Sequence, residues 1–348
     1  MTGIAPDGRR GSAEAATLGR RQFATGALAA AGVFVAGCSG GTRLPASSAL
    51  APLRVAARPD VLEVGPVLLA AASDGGRLAT VLPGGIPNLI EGQVTGALDR
   101  FPGTADAAAQ AETQLLRLSV ANPDLRIVMT ITEGLYRVVA RRSARISRVA
   151  DLAGKRIGVF ERTSAAFFLH RLLGRARLSD GDIVRVALRP SEMAQALIER
   201  RVDAIAIWEP ESERAMREIG NDAITFADPA AYREFYNLNT TLAVLRDRRR
   251  RAALVEFMRA LVGACRTASD RPDKVWPLVA ASSGFAEDLV AAAWPHHRFP
   301  ATLSPALLDT MVTEERWLAA QDGRAPRSRP ELDRLIDRSL LSEAGIRI

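Results

Sequence analysis

The strongest constraint in this sequence is a run of three short apolar segments separated by two helical patterns. Residues 156–160 read as a strand, and a helix follows from Thr163 and Ser164 through Phe167, Phe168, Leu172 and Leu173. Residues 183–188 form a second strand. Ser191 stands where it would cap a helix carrying Met193, Ala194, Leu197 and Ile198, and residues 204–208 supply the third strand. Strand–helix–strand units of this length pair in parallel with right-handed crossovers, so the region is an α/β layer rather than a hairpin stack.

Open parallel sheets bind ligands just beyond the carboxyl ends of their strands. Here those ends are Glu161-Arg162-Thr163-Ser164, Arg189-Pro190-Ser191 and Trp208-Glu209-Pro210. Thr163, Ser164 and Ala165 offer hydroxyls and free backbone N–H groups at a helix start, a setting for an anion or a carbonyl oxygen, although simple capping uses the same residues. Trp208 can floor a pocket and Glu209 can accept hydrogen bonds. The plainer alternative is a sheet-edge indole beside a solvated carboxylate.

The same alternation extends to both sides. Residues 53–56 read as a strand, Pro66 opens a helix, and 78–82 read as a strand. A helix is expected across 86–98, a strand near 105–109, a helix over 112–120, and strands at 126–130 and 135–142. After the central module, 222–226 and 239–245 look extended, and the chain from Arg251 is mainly helical. Strand-end positions in the amino-terminal part bring Glu63, Gln110, Glu112, Thr113, Glu133 and Tyr136 toward the same kind of cleft. At 348 residues the chain is long enough for two such layers facing each other.

The first forty residues carry a different message. Arg20-Arg21-Gln22-Phe23 precedes an uncharged stretch from Gly26 to Gly37 that is too short to span a bilayer, and Val35-Ala36-Gly37 leads into Cys38. This is the build of an export signal over residues 1–37, resembling a twin-arginine address that ends in a lipobox, with Cys38 as the acylated residue. The alternative for Cys38 is a small buried cysteine. Residues 38–51 then serve as a tether. Removing 1–37 takes away four arginines and two acids and leaves a net charge of +5. With Cys38 lipidated, Cys265 has no disulfide partner. The basic residues are interspersed with acids and lack an aromatic-studded stripe, which argues for a solvated surface and against nucleic acid.

Asp151-Leu152-Ala153-Gly154-Lys155-Arg156-Ile157-Gly158-Val159, Thr163-Ser164-Ala165, and Val202-Asp203-Ala204 with Trp208-Glu209-Pro210 together resemble the nitrate/sulfonate/taurine binding-protein family, which includes binders of thiamine-pyrimidine precursors. The likeness is strong over residues 125–245. It implies an α/β type II periplasmic binding fold: two βαβ lobes joined by a two-strand hinge, with a helical C-terminal region. Lobe I would be 52–140 plus 241–348 and lobe II 141–240, with crossings along 135–142 and 237–245. The implied function is capture of a small organic ligand by lobe closure and its delivery to the permease of an ABC importer. The implied molecule is a lipid-anchored, extracytoplasmic monomer with no cofactor or metal. Asn239 joins the site list through the second crossing. Ala109 and Gln110 are blander than the family's usual contacts. Glu63, Glu112, Glu133 and Glu209 favour an amine or zwitterion, whereas the helix start at Thr163 favours an anion, so ligand charge stays open.

Two rivals remain. An enzyme on the same fold would act on a small heterocyclic or carboxylic substrate, but His170, His296 and His297 are the only histidines and show no ligand spacing. Pro83-Gly84-Gly85 lacks the length and the lysine of a phosphate loop. A purely structural lipoprotein would explain the signal but not two lobes. Residues 248–251, four consecutive arginines, read as a solvated helix start.

Overall fold

The computed structural model describes residues 52–92 and 104–346. The export signal, the tether, Cys38 and the distal part of the helix expected across 86–98 lie outside the described residues.

Two sheets organise the chain. The first is built from β1 (Leu53–Ala57), β2 (Ala79–Pro83), β3 (Ala107–Ala111), β4 (Leu125–Gly134), β10 (Glu234–Thr241) and β11 (His297–Arg298), in the order β11-β4-β10-β3-β1-β2. The second contains β5 (Arg137–Arg141), β6 (Arg156–Val159), β7 (Val184–Ala187), β8 (Ala204–Ile207) and β9 (Ala223–Phe226), in the order β7-β6-β8-β5-β9. The expected βαβαβ module is present: β6 pairs in parallel with both β7 and β8. Its connecting helices are α3 (Ser164–Arg175) and α4 (Pro190–Ile198). β5, by which the chain enters, pairs antiparallel to β8, and β9, by which it leaves, pairs antiparallel to β5 at the sheet edge. β3 and β8 are buried along their whole length, which explains sequences without polar alternation.

The remaining helices are α1 (Gly65–Ala72), α2 (Glu112–Leu118), α5 (Glu211–Ile219), α6 (Leu242–Arg246), α7 (Arg248–Asp270), α8 (Trp276–Ser283), α9 (Glu287–Ala293), α10 (Leu307–Gln321), α11 (Arg329–Asp333) and α12 (Ser339–Ala344). The longest, α7, buries Leu254, Phe257, Met258, Leu261 and Cys265 at helical spacing. Asp247 caps it by accepting from the Arg249 and Arg250 amides at 2.9 and 3.0 Å. Arg248 and Arg249 are exposed, while Arg250 pairs with Asp106 and Arg251 with Glu343. Cys265 is free and buried, and burial pushes its thiol pKa up.

The chain passes from the first sheet to the second between Gly134 and Arg137, and returns between Phe226 and Glu234. Both passages come before the boundaries expected at 140/141 and 240/241. β5 lies wholly in the second sheet, and β10 pairs with β3 and β4 from Glu234 onward. Residues 239–245 are therefore not an extended crossing. The strand ends at Thr241, whose hydroxyl accepts from the Val244 amide at 3.3 Å and starts α6. Two further local expectations are corrected. The helix from Ile86 is a single short turn, Ile86–Leu89, in which the Asn88 side chain folds back to accept from the Gly85 amide at 2.9 Å. Gly84, at φ 148°, makes room for that fold: a Cβ there would lie 2.1 Å from Asn88 Oδ1. Ser191 is not the cap of α4, which begins one residue earlier at Pro190 and is closed by Glu192 accepting from the Arg189 amide at 2.8 Å.

Candidate functional site

The two passages meet at Tyr136. Its side chain is buried between the sheets, with its hydroxyl 2.8 Å from Ser164 Oγ at the start of α3. Its ring packs edge-on against Phe168 and Tyr232, at centroid distances of 6.1 and 5.7 Å, and tilts against Trp208 at 6.1 Å. One phenol thus touches the first passage, the helix start and strand end of the second sheet, and the returning passage. Aromatic contacts of this geometry contribute roughly 0.5–1.5 kcal/mol each beyond area burial.

Beside Tyr136 and its neighbour Tyr232 lie four buried carboxyl groups. Glu63 follows β1, and its Oε1 is 3.2 Å from His297 Nε2. Glu234 opens β10. Both face Gly134, the last residue of β4: a Cβ there would come within 2.8 Å of Glu234 Oε2 and 3.2 Å of Glu63 Oε1. Glu112, at the start of α2, accepts from the Tyr232 hydroxyl at 2.5 Å and the Phe235 amide at 3.0 Å. Glu314 on α10 accepts from the Thr113 hydroxyl at 2.6 Å. Burial raises Glu112 to about 7, against the opposing effect of the Tyr232 hydrogen bond. Burial, with Glu63 and Glu112 close by, holds Glu234 well above the usual carboxylate range, and burial with Glu112 does the same to Glu314. Glu234 hydrogen-bonds to Glu63 and to Tyr136, and beyond those contacts Glu63 Oε2, Glu234 Oε2, Glu314 Oε2 and the Tyr236 hydroxyl have no hydrogen-bond partner. Each such orphaned group costs about 1–3 kcal/mol.

Of the residues singled out in the sequence, Glu63, Glu112, Thr113, Tyr136, Ser164 and Trp208 converge here. The others serve different contacts. Gln110 Oε1 accepts from the Ile86 amide at 2.8 Å and braces the Gly84-Gly85 turn. Asn239 lies inside the first sheet, donating to the Ala108 and Asn237 carbonyls at 3.1 and 2.8 Å. Thr163 donates to the Phe160 carbonyl at 2.6 Å, and Ala165 is packed in α3. Glu209 is committed to Arg137, whose Nη2 lies 2.6 Å from one carboxylate oxygen, and the same guanidinium reaches Glu213 at 3.0 Å. Glu133 is half-buried and lines a separate cavity of about 370 Å³ with Phe167, Arg171, Tyr232, Arg233 and Arg298.

Sequence reasoning passed over Glu234, Glu314, Tyr232 and Tyr236, and set His297 aside as a metal or acid–base residue. Glu314 did leave a signal. Met311, Glu314, Glu315 and Leu318 fall at i, i+3, i+4 and i+7, which puts both carboxylates on the core face of α10. His170 sits at the surface with its Nδ1 2.7 Å from Asp180, and burial, with Arg137 adding to it, lowers half-buried His296 to about 4. Among the described residues, no group of three or more His, Cys, Asp or Glu is arranged to hold a metal ion.

Comparison with known proteins agrees with this architecture. A family model described as NMT1/THI5 like matches residues 101–275, half of the chain, and the protein belongs to that family. A Brucella abortus protein provisionally named a binding protein is 36% identical over 74 residues, covering 21% of this chain but only 23% of that relative. The periplasmic aliphatic sulphonate binding protein SsuA from Escherichia coli superimposes with a TM-score of 0.66 at 17% identity, over 82% of this chain and 92% of its own. The desulfurization enzyme DszB superimposes with a TM-score of 0.56 at 17% identity, over 84% and 98%. The fold is that of the type II periplasmic binding proteins.

Proposed function

We propose that this protein is the extracytoplasmic solute-binding component of an ABC importer, capturing a small organic molecule by closure of two lobes. The observation that carries the reading is the convergence of buried, unpaired polar groups where both chain passages meet. A structure meant only to be stable would pair or omit such groups; a binding site keeps them for a ligand. SsuA, a periplasmic sulphonate-binding protein, shares the fold and supports the class of function without fixing the solute.

In this reading the lobes are the two sheets with their helices, roughly 52–134 with 234–346, and 137–226. The connections at 135–136 and 227–233 act as hinges. Tyr136 and Ser164 are the contacts that meet on closure. The protein works as a monomer without a cofactor, docks on a permease and performs no turnover. DszB, an enzyme on this fold, is the reason to test that last point. The amino-terminal motif adds export and an acyl anchor at Cys38; Cys38→Ser should then move the protein from the membrane to the soluble fraction.

The decisive experiment is native purification of the full chain from its host, followed by mass spectrometry of released small molecules and small-angle scattering with and without them. A molecule released unchanged, together with ligand-dependent compaction, is the expected result. A chemically altered product would favour an enzyme, and release of no molecule with no compaction would exclude the solute-binding role.

A further inference from the structure

The buried carboxylates of this protein fall into two kinds. Glu315 on α10 receives Arg324 at 2.5 Å, the Arg327 guanidinium at 2.9 Å and the Arg327 amide at 2.9 Å. Glu209 and Glu213 share Arg137. Glu315 is fully compensated, whereas at Glu209 burial still outweighs the opposing pull of Arg137. Glu314, the immediate neighbour of Glu315, receives only the Thr113 hydroxyl, and Glu63 and Glu234 crowd the same face of Gly134. This chain therefore surrounds structural carboxylates with arginine, yet supplies no arginine to the four that gather between its sheets. Two basic side chains lie beside this group: His297, on Glu63 Oε1, and Arg58, which pairs with Asp60 through Nη2 and leaves its buried Nε without a partner. The Tyr236 hydroxyl, on a side chain 3% exposed, points to the same place independently: it lies in the field of Glu63 and Glu234 and has no partner.

We propose that the solute carries a positively charged nitrogen, a protonated amine or an amidinium, seated between Glu63, Glu234 and the Tyr236 hydroxyl. The inference rests on the solute-binding reading and names the charge of what is bound. An amidinium presents paired N–H donors that match carboxylate oxygens, and its charge compensates the pair when both are ionised. A sulfonate or nitrate at this position would instead face carboxylates with no arginine to hold it.

The test is calorimetric titration of the full chain, freed of co-purified molecules, with benzamidine and with ethanesulfonate at pH 6 and pH 8. Benzamidine is expected to give saturable binding that is at least threefold tighter at pH 8, because the neighbouring carboxyls must release protons to meet it. Tyr136, Tyr236, His297, Arg58, Asp60 and Glu112 are the other titratable or charged groups facing the pair. Glu63→Gln and Glu234→Gln should each weaken benzamidine at least tenfold, with melting curves confirming that both variants fold. An anion held by protonated carboxyls would bind more tightly at pH 6. Ethanesulfonate binding of that kind, no benzamidine binding, or unchanged benzamidine affinity in both variants would overturn the assignment. If the natively purified protein releases a solute without a basic nitrogen, the charge assignment fails while the solute-binding role stands. If it holds and binds nothing, both fail.

Discussion

The Tyr232 hydroxyl donates to Glu112 Oε1 at 2.5 Å, joining the returning passage to the start of α2 across 120 positions of sequence. The same carboxylate also accepts from the Phe235 amide, so one buried side chain fixes where the chain re-enters the first sheet.

A pH dependence follows from that position. Burial raises Glu112 to about 7, and Glu234, Glu314, Tyr136 and Tyr232 share its surroundings. Between the ordinary glutamate value and 7, the folded protein holds a proton that the unfolded chain has released. Stability from this group is fully present below the unfolded pKa and is lost as pH rises to about 7, with a slope approaching about 1.4 kcal/mol per pH unit. Urea unfolding of ligand-free protein from pH 5 to 8 should therefore show falling stability. Glu112→Gln should flatten the fall; an unchanged slope would show that Glu112 does not titrate in this range.

The Tyr136–Ser164 hydrogen bond is fully enclosed, so removing one partner strands the other. Ser164→Ala is expected to cost about 1–3 kcal/mol. This differs from what an exposed cleft residue would give, since Ser164 as a surface contact would scarcely alter the melting midpoint. Tyr136→Phe alone should cost a similar amount. The double variant should lose less than the sum of the two, and strict additivity in chemical denaturation would show that the bond contributes nothing of its own.

Glu314 and Glu315 are adjacent in sequence and opposite in consequence. Burial works to raise Glu315, but hydrogen bonds from Arg327 and Arg324 prevail and bring it to about 2. Glu315→Gln should destabilise the protein by about 3 kcal/mol by leaving two arginines without their partner. The stability that Glu315 confers is present above the ordinary glutamate pKa and is lost as pH falls toward 2. Glu314→Gln keeps an acceptor for Thr113 and removes a strained acid, so its ligand-free melting midpoint should match or exceed that of the parent. A Glu314→Gln loss as large as that of Glu315→Gln would mean that both carboxylates are structural.

The α/β module was legible because its strands are uninterrupted apolar runs, and β6 through β8 fall where those runs predict. The returning passage was not. Asn237, Asn239 and Thr240 make β10 read as a crossing between lobes, yet all three are buried and bond sideways: Asn237 accepts from Thr130 at 2.8 Å, Asn239 donates to Ala108 while its Oδ1 has no partner, and Thr240 donates to the Asp106 carbonyl at 2.7 Å. Polar side chains that bond across strands defeat a reading based on alternating hydrophobicity. The site was half legible for a related reason. Residues at strand ends announce themselves by position, so Glu63, Glu112, Tyr136, Ser164 and Trp208 were found. Glu234 and Glu314 come from a late strand and a C-terminal helix, and only the chain's return brings them to the cluster.

Gly134 offers the sharpest test of the cluster as a working site. Its backbone is not in the left-handed region, so alanine there meets no conformational penalty; the obstacle is the Cβ itself, 2.8 Å from Glu234 Oε2 and 3.2 Å from Glu63 Oε1. To fit a methyl group, the two carboxyls must move apart inside a closely packed region, at a cost of about 1–3 kcal/mol in ligand-free stability. The same displacement would spoil the paired acceptor geometry, so a bound solute should be lost by at least tenfold in affinity. The two effects separate by comparison with Gly158→Ala in β6, where the added Cβ would come within 2.9 Å of Leu188 and 3.1 Å of Ile205, and no carboxylate is involved. Gly158→Ala should lower the melting midpoint and leave the affinity of the folded protein close to that of the parent. Equal loss of affinity in both variants would mean that binding tracks overall stability rather than the arrangement of Glu63 and Glu234.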